Sequence, residues 1–480
     1  MKKLNTILNG IDFIGQSDDR LIENISYDSR KVKNNSLFIA INGFKENGHN
    51  YIDNAINAGA TAIITDKNYI NKNSSVPFIK VEDSRKAMSK ISANFFDDCS
   101  TNIKVTGITG TNGKTTITQI INHILNDNLK QSCALGTLGF QFQNDVKNTG
   151  FTTPESIELQ QIFQTVHKAG ISHLNMEVSS HSLSLNRVDN VDIDIAVFTN
   201  LTEEHLDFHK TMENYFHSKL KLFKNLSSEK LAIINNDDNY AKKFIESTKA
   251  NILTYGFSNN SNIYASDIKL NLSGSEFNIN YKNQKIKVRT HLIGDFNIMN
   301  ILASILVCEN LGIQINKIVK SLEKLKFIPG RFQSYESKNN GKIIVDYAHT
   351  PDAFEKILTL VKKIDSTKKI ITLFGCGGDR DTSKRPIMGK ISEMYSDKII
   401  LTNDNPRNES SNKIFDDIIS GFKKSKHIII KDRKAAIEKA VNNLSQNDTL
   451  LILGKGIENY QLIMGNKIYH NDIEIIKNLI

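Results

Sequence analysis

One stretch constrains this chain more than any other: Gly107-Ile108-Thr109-Gly110-Thr111-Asn112-Gly113-Lys114-Thr115-Thr116. It closes an alternating run, Ile103 to Thr109, and precedes apolar positions Ile117, Ile120, Ile121 and Ile124 at helical spacing, a pattern that predicts strand, glycine loop and helix. Such a loop aims backbone N–H groups and a helix N-terminus at one point and so cradles phosphate. Lys114 is placed to reach the β- and γ-phosphates and Thr115 to hold Mg²⁺. The spacing departs from the strict G-x-x-x-x-G-K-[ST] form, because Ile108 stands five residues before Gly113 and the glycines fall at 107 and 110.

The chain around the loop is long. Its 480 residues, at roughly 150 per domain, predict about three domains with cores of their own. A charged fraction of 24%, with 6 Pro and 26 Gly, excludes collagen-like and broadly disordered chains. Asn5, Asn9 and Asp12 break the N-terminal segment before a signal-peptide core forms. No apolar run of about 18 residues predicts a membrane-spanning helix, so the expected location is cytoplasmic. Cys99, Cys133, Cys308 and Cys376 lie far apart without a C-x-x-C pair and read as reduced thiols. The formal charge of +9 is scattered among acids; it fits an anionic small substrate, a nucleic acid or a Lys- and Asn-rich coding bias.

Three blocks emerge, 1–100, 101–328 and 329–480, each with strand and helix patterns. The first carries strand-like Leu37 to Ile41 and Ala62 to Thr65 and ends near the polar stretch Asp97 to Asn102. Asn71 to Ser75 and Asn259 to Asn262 read as loops. The last block begins near Pro329-Gly330 and alternates strand runs (Ile343 to Tyr347, Ile370 to Phe374, Lys398 to Thr402, Thr449 to Leu453) with helical stretches such as Pro351 to Lys362 and Ala435 to Leu444. Alternation of this kind predicts a parallel, doubly wound sheet, with ligands at the carboxyl ends of its strands. The polar loops AHTPD, GCGGDRD, NDNPR and GKGIE stand at those ends.

A triphosphate site calls for a metal with hard ligands. Glu177, at the end of a predicted strand, and His205, in the loop after Ile193 to Phe198, are candidates by position. On physical grounds alone, Lys219 reads as a solvated lysine of an amphipathic helix. Asn297 and Asn300 lie one turn apart at a helix start. Their amides suit the edge of adenine, while helix capping is an equal reading for Asn297.

Taken in order, TGTNGKTT, TTPES, MEVSSHSL, TNLTEEHLDFH, YFHSKLKLF, GDFNIMN, PGRF, DYAHTPD, GCGGDRD, DNPR and GKGIENYQ resemble the Mur ligases of peptidoglycan synthesis. The similarity runs from about residue 26 to 462 and is greatest to the branch that adds the third residue of the stem peptide. Tyr27-Asp28-Ser29-Arg30-Lys31-Val32 is similar to that branch's uridine-binding domain. The resemblance implies an α/β protein of three domains: a smaller α/β uridine grip, a central P-loop ATPase-type parallel sheet, and a C-terminal Rossmann-like sheet. It implies an ATP- and Mg²⁺-dependent amide ligase, working through an acyl phosphate, that joins meso-2,6-diaminopimelate to UDP-N-acetylmuramoyl-L-alanyl-D-glutamate. It also implies a monomer without nucleic acid or membrane insertion.

Residue by residue, the resemblance assigns Gly110, Thr111, Asn112, Gly113, Lys114, Thr115, Thr116, Asn297, Asn300, Arg331 and Asp346 to ATP. Thr115, Glu177, His205 and Lys219, the last as a carbamate, would surround Mg²⁺, and Lys114, Lys219, Glu177 and His205 carry catalysis. Ser29, Thr152, Thr153, Ser179, Arg187 and Lys219 match positions that hold the uridine-linked peptide. Arg380, Asp404, Asn405, Pro406, Arg407, Gly454 and Glu458 match the amino-acid contacts. Arg407 decides for diaminopimelate, because its fork grips the carboxylate that lysine lacks; lysine-adding relatives usually lack this arginine. Three positions depart from the family's pattern: Ile457 stands where His is usual, Glu203 where Arg is common, and Asn34-Asn35 replaces the usual turn. The alternatives are the lysine-adding ligase, a folylpolyglutamate synthase-like ligase, which the DNPR loop and the N-terminal block argue against, and a nucleotide switch or nucleic-acid binder, which has no use for the charged C-terminal loops.

Overall fold

The computed structural model describes residues 1–43, 46–70, 76–143, 145–424 and 427–480. The predicted loop at Asn71 to Ser75 lies outside them, while 259–262 is a turn. Three sheets divide most of the chain. A four-stranded parallel sheet orders Asn24–Ser26, Ser36–Ile39, Ala60–Asp66 and Phe78–Val81 side by side. Asn34 and Asn35 form the turn before its second strand, Asn35 taking φ 58°, a conformation that asparagine tolerates.

Among the described residues the central sheet has eleven strands. Its parallel core places Lys104–Thr109 between His173–Glu177 and Ile195–Phe198. The register sets Ile108 opposite Glu177 and Thr109 opposite Phe198. The three carboxyl ends therefore lie side by side, so loops distant in sequence share one rim. The expected parallel sheet is extended at both margins. Gly139–Phe142 and Asp145–Lys147 add antiparallel strands at one edge, and Ile263–Asn271, Gly274–Tyr281 and Gln284–Thr290 form an antiparallel meander at the other.

The helix Lys114–Asp127 buries Ile117, Ile120, Ile121 and Ile124 on one face of this sheet, against the nearly all-round buried helix Asp295–Asn310. Phe163, Phe198, Phe223 and Phe244 fill the other face. Burying a large apolar side chain contributes about 1.5–3 kcal/mol, so these two layers hold the rim in place.

The C-terminal sheet runs in the order Gln333–Glu336, Lys342–Asp346, Asp448–Leu453, Lys369–Phe374, Lys398–Leu401, His427–Ile429, parallel except for the first strand. All four predicted strands are present, and the two outer ones were not foreseen. The helix Pro351–Ile364 starts with Pro351 in its first turn and Thr350 capping Ala353 N. All four cysteines are free and buried, and no helix among the described residues is long and apolar enough to cross a membrane.

Candidate active site

The glycine loop meets its neighbours through backbone and hydroxyl groups. Asn112 N donates to Asn200 Oδ1 at 2.9 Å and Thr199 Oγ1 to Asn112 O at 2.6 Å. Gly110 takes φ 149°, and a Cβ there would stand 1.8 Å from Thr199 Oγ1, so only glycine allows this approach. Thr111 Oγ1 donates to Thr202 O at 3.1 Å. Thr115 and Thr116 are buried in the first turn of the following helix, and Asn300 Oδ1 lies 2.5 Å from where a Gly113 Cβ would be. Asn297 does not cap its helix; the cap position is Gly294, and the Asn297 amide donates to Ile293 O at 2.8 Å while accepting from Asn300 at 3.3 Å.

Two lysines converge on the loop. Lys114 Nζ donates to Gly110 O and Thr111 O, both at 2.8 Å. Lys219 Nζ donates to the same Gly110 O at 2.9 Å and lies 4.3 Å from the centre of the Tyr215 ring. Lys219 is 1% exposed, which overturns its reading as a solvated lysine. Burial first, then the neighbouring Lys114, holds its ammonium well below the usual lysine value, with Glu204 opposing. Lys114 is likewise lowered by burial.

Glu177 is buried and its carboxylate accepts from Thr137 N at 2.7 Å and Thr137 Oγ1 at 3.2 Å. His205 turns the chain with φ 58°, and burial lowers its imidazole to about 4. That turn sends Glu204, not Glu203, into the site: Glu203 is exposed, whereas Glu204 lies 3.6 Å from His205 Nε2 and 3.2 Å from His349 Nε2. Burial raises the Glu204 carboxyl, but the His349 hydrogen bond and nearby His205 and Lys114 outweigh it and hold it low. Neither Glu204 nor His349 carried an assigned role in the sequence. The paired acids before His205 were the signal, but spacing alone does not say which one faces inward.

Among the described residues no three His, Cys, Asp or Glu side chains converge as a preformed metal cage. Mg²⁺ asks for less, because one or two protein oxygens suffice when water and phosphate complete its shell. Thr115 Oγ1 and the Glu177 carboxylate supply that chemistry, and the buried Thr109 and Thr202 hydroxyls beside the loop have no hydrogen-bond partner among the described residues. The donor set fits the ion.

The C-terminal domain reaches across. Arg331 Nη2 donates to Thr115 Oγ1 at 2.9 Å, with its guanidinium 4.5 Å from the centre of the Tyr347 ring. Asn112 Nδ2 donates to Asp352 at 2.9 Å. Asp346 accepts from the N–H groups of Phe332 and Ala348, each at 2.6 Å, so it ties the PGRF turn to its strand end. Burial raises its carboxyl.

Next to Glu177, Thr153 Oγ1 donates to Glu177 O at 2.8 Å and accepts from Ser179 N at 3.1 Å, and Thr152 Oγ1 is 3.3 Å from Thr137 Oγ1. Arg187 donates to Thr153 O at 2.9 Å and pairs with Glu155 at 2.7 Å, and Glu155 also holds Arg85 from the N-terminal domain at 3.0 Å. Ser29 lies on the 3-10 turn Ser29–Lys31, two residues after Tyr27, whose hydroxyl donates to Glu158 at 3.0 Å.

Around the C-terminal strand ends, Arg407 takes φ 53° and donates through Nη1 to Gly378 O at 2.7 Å. Burial and then the adjacent Arg380 pull its guanidinium below the usual value, while Asp404 and Glu458 oppose them. Arg380 is exposed. Asn405 Nδ2 donates to Glu458 at 2.9 Å. Pro406 and Gly454 complete the wall: a Cβ at Gly378 would meet Pro406 O at 1.9 Å, and one at Gly454, φ 108°, would meet Asp404 Oδ2 at 2.8 Å.

Family models match the chain in three pieces: Mur ligase family, catalytic domain, at residues 21–96; Mur ligase middle domain at 108–308; and Mur ligase, glutamate ligase domain, at 330–456. The chain belongs to the Mur ligase family. It is 42% identical to the UDP-N-acetylmuramoyl-L-alanyl-D-glutamate--2,6-diaminopimelate ligase of Clostridium tetani, over 100% of this chain and 98% of the relative. It is also 42% identical to the ligase of the same name from Fusobacterium nucleatum, over 98% and 97%. A solved structure of a ligase of that name superposes with a TM-score of 0.71 at 31% identity, covering 100% of this chain and 99% of its own. Of the two departures from the Mur ligase pattern near the site, Glu203 faces solvent, and Ile457 packs on the Gly330 turn, where a Cβ would stand 2.7 Å from its Cγ2.

Proposed function

We propose that this Mur ligase couples ATP cleavage to amide formation between the D-glutamyl side-chain carboxylate of UDP-N-acetylmuramoyl-L-alanyl-D-glutamate and an amine of meso-2,6-diaminopimelate, in peptidoglycan precursor synthesis. The domains are assigned as 1–100 for the uridine-linked substrate, 101–328 for ATP and 329–480 for the amino acid; the protein acts as a cytoplasmic monomer. The observation that carries the reading is the closure of one phosphate loop by groups from two domains, Lys114 and Lys219 on one side and Arg331 on the other.

The loop N–H groups, Lys114 and Arg331 hold the triphosphate and offset its charge as the substrate carboxylate attacks the γ-phosphorus and ADP departs. The amine then attacks the acyl carbon, phosphate leaves, and the ammonium proton passes to solvent. Mg²⁺, when bound, neutralises phosphate charge; Thr115, Glu177, His205 and Lys219 as a carbamate would hold it. The lowered Lys219 ammonium supports that modification, since only the neutral amine adds CO₂, releasing a proton. Asn297 and Asn300 lie beside the loop for the adenine, and Asp346 orders the Arg331 turn. Thr152, Thr153, Ser179, Arg187 and Ser29 hold the acceptor, while Arg380, Arg407, Asn405 and Glu458 read the amino acid.

Incubation with ATP, Mg²⁺, the UDP-muramoyl dipeptide and an equal mixture of diaminopimelate and lysine tests the reading by product mass. The diaminopimelyl product with stoichiometric ADP is expected. A lysyl product alone favours the lysine-adding reading, against which Arg407 stands, and no product with either overturns the ligase assignment.

A further inference from the structure

Lys455 is fully buried behind the amino-acid loops and has no part in the chemistry above. Its Nζ lies 3.0 Å from Glu458 Oε2, 3.3 Å from Asn405 Oδ1 and 4.0 Å from Asp404 Oδ1. Asn405 is fixed from two sides: its Oδ1 also accepts from Leu462 N at 2.9 Å, and its Nδ2 donates to Glu458 Oε2. One carboxylate oxygen of Glu458 is thus consumed by Lys455 and Asn405, whereas among the described residues Oε1 has only the Tyr347 hydroxyl at 3.4 Å.

Asp404 and Glu458 face the one ammonium of Lys455, and both also act on the guanidinium groups of Arg407 and Arg433. Without Lys455 the Glu458 carboxylate would lose its ion pair at 3.0 Å and keep the Asn405 amide on the same oxygen, so that Oε2 would be free to turn toward the incoming ammonium.

We infer that Lys455 is a positioning residue for amino-acid selection: it pins Glu458 Oε2, so that Oε1 receives one ammonium of the incoming zwitterion. The inference rests on the diaminopimelate reading and adds to it a residue that need not touch the substrate.

The test is the ratio of kcat/KM for diaminopimelate to that for 2-aminopimelate, the analogue lacking the second amine, with the KM for ATP measured alongside. Lys455→Met should lower the ratio at least about 5-fold, chiefly through the KM for diaminopimelate, with the ATP KM within about 2-fold; Lys455→Arg should restore most of it. Because Lys455→Met strands a half-buried carboxylate and risks misfolding, Lys455→Met/Glu458→Gln, which removes both charges of the pair, is compared with Glu458→Gln. Equal ratios in those two support action through Glu458; a further fall of about 5-fold in the double variant overturns it. So does a wild-type ratio in Lys455→Met. A wild-type enzyme that does not prefer diaminopimelate to 2-aminopimelate overturns the parent reading instead.

Discussion

A lysine ammonium removed from water loses much of its preference for the charged form, and Lys219 meets that condition, buried to 1% exposure with a second lysine beside it. Lys219→Ala should reduce ligation by about 10²–10³-fold, the scale of losing a positioned charge at a reacting phosphate. Bicarbonate should not restore it, whereas short carboxylic acids should in part; full activity in initial-rate assays would remove Lys219 from the site. On the proposed function Arg407 reads the other substrate. Arg407→Ala should raise the KM for diaminopimelate about 10-fold or more, equivalent to at least about 1.5 kcal/mol of a charged hydrogen bond, with the ATP KM unchanged. An unchanged KM for the amino acid would contradict the carboxylate role. What the sequence hid at this scale was orientation. The helix Met212–Lys224 buries Tyr215, Phe216, Ser218, Lys219, Leu220, Leu222 and Phe223, a face too broad for helical periodicity to tell a buried lysine from a solvated one.

At the scale of elements, the glycine loop is held by its neighbours as much as by its own sequence. Gly110→Ala would drive a methyl group into Thr199 Oγ1, and the polar contacts joining the two loops would have to break. ATP binding measured by calorimetry should fall by about 10-fold or more, with the far-ultraviolet dichroism of the fold retained; wild-type affinity would show that the loop tolerates a side chain. Strands flanked by glycine or charged loops were legible, because alternation and turn residues mark both ends. Gln333–Glu336 and His427–Ile429 were not, since runs of three or four residues are too short to carry a period and gain their strand character from the strand beside them. The antiparallel margins of the central sheet escaped for the same reason: pairing direction is a property of the partner strand, not of one run of residues. Convergence of the three rim loops was foreseen from their strand-end positions, but the side-by-side order that produces it appears only in the register.

For the molecule as a whole, several buried groups titrate away from their ordinary values. Burial lowers the imidazoles of His173 and His209 to about 4, below the unfolded value of about 6.5. Between these values the unfolded chain binds more protons, so stability rises with pH across this window and is lost on acidification, at most about 3 kcal/mol per ring. Asp472 extends the loss further: burial pushes it up, but Arg433 at 2.7 Å and His470 at 2.7 Å prevail and hold it low. Its contribution is present above the unfolded carboxylate value of about 4 and disappears as pH falls below it. Melting temperatures between pH 7 and 4 should therefore decline, and the decline from pH 6.5 should shrink in His173→Gln; a flat profile would contradict it. The N-terminal and C-terminal sheets are tied to the central one by Arg85 to Glu155 on one side and Arg331 to Thr115 on the other; on the proposed function these contacts would bring the triphosphate, the acid and the amine together, which is what coupling through an acyl phosphate requires. The most direct test places oxygen-18 in the side-chain carboxylate of the UDP-muramoyl dipeptide and follows the label through one turnover. One labelled oxygen should appear in the released orthophosphate; label retained wholly in peptide and water would contradict the acyl-phosphate route.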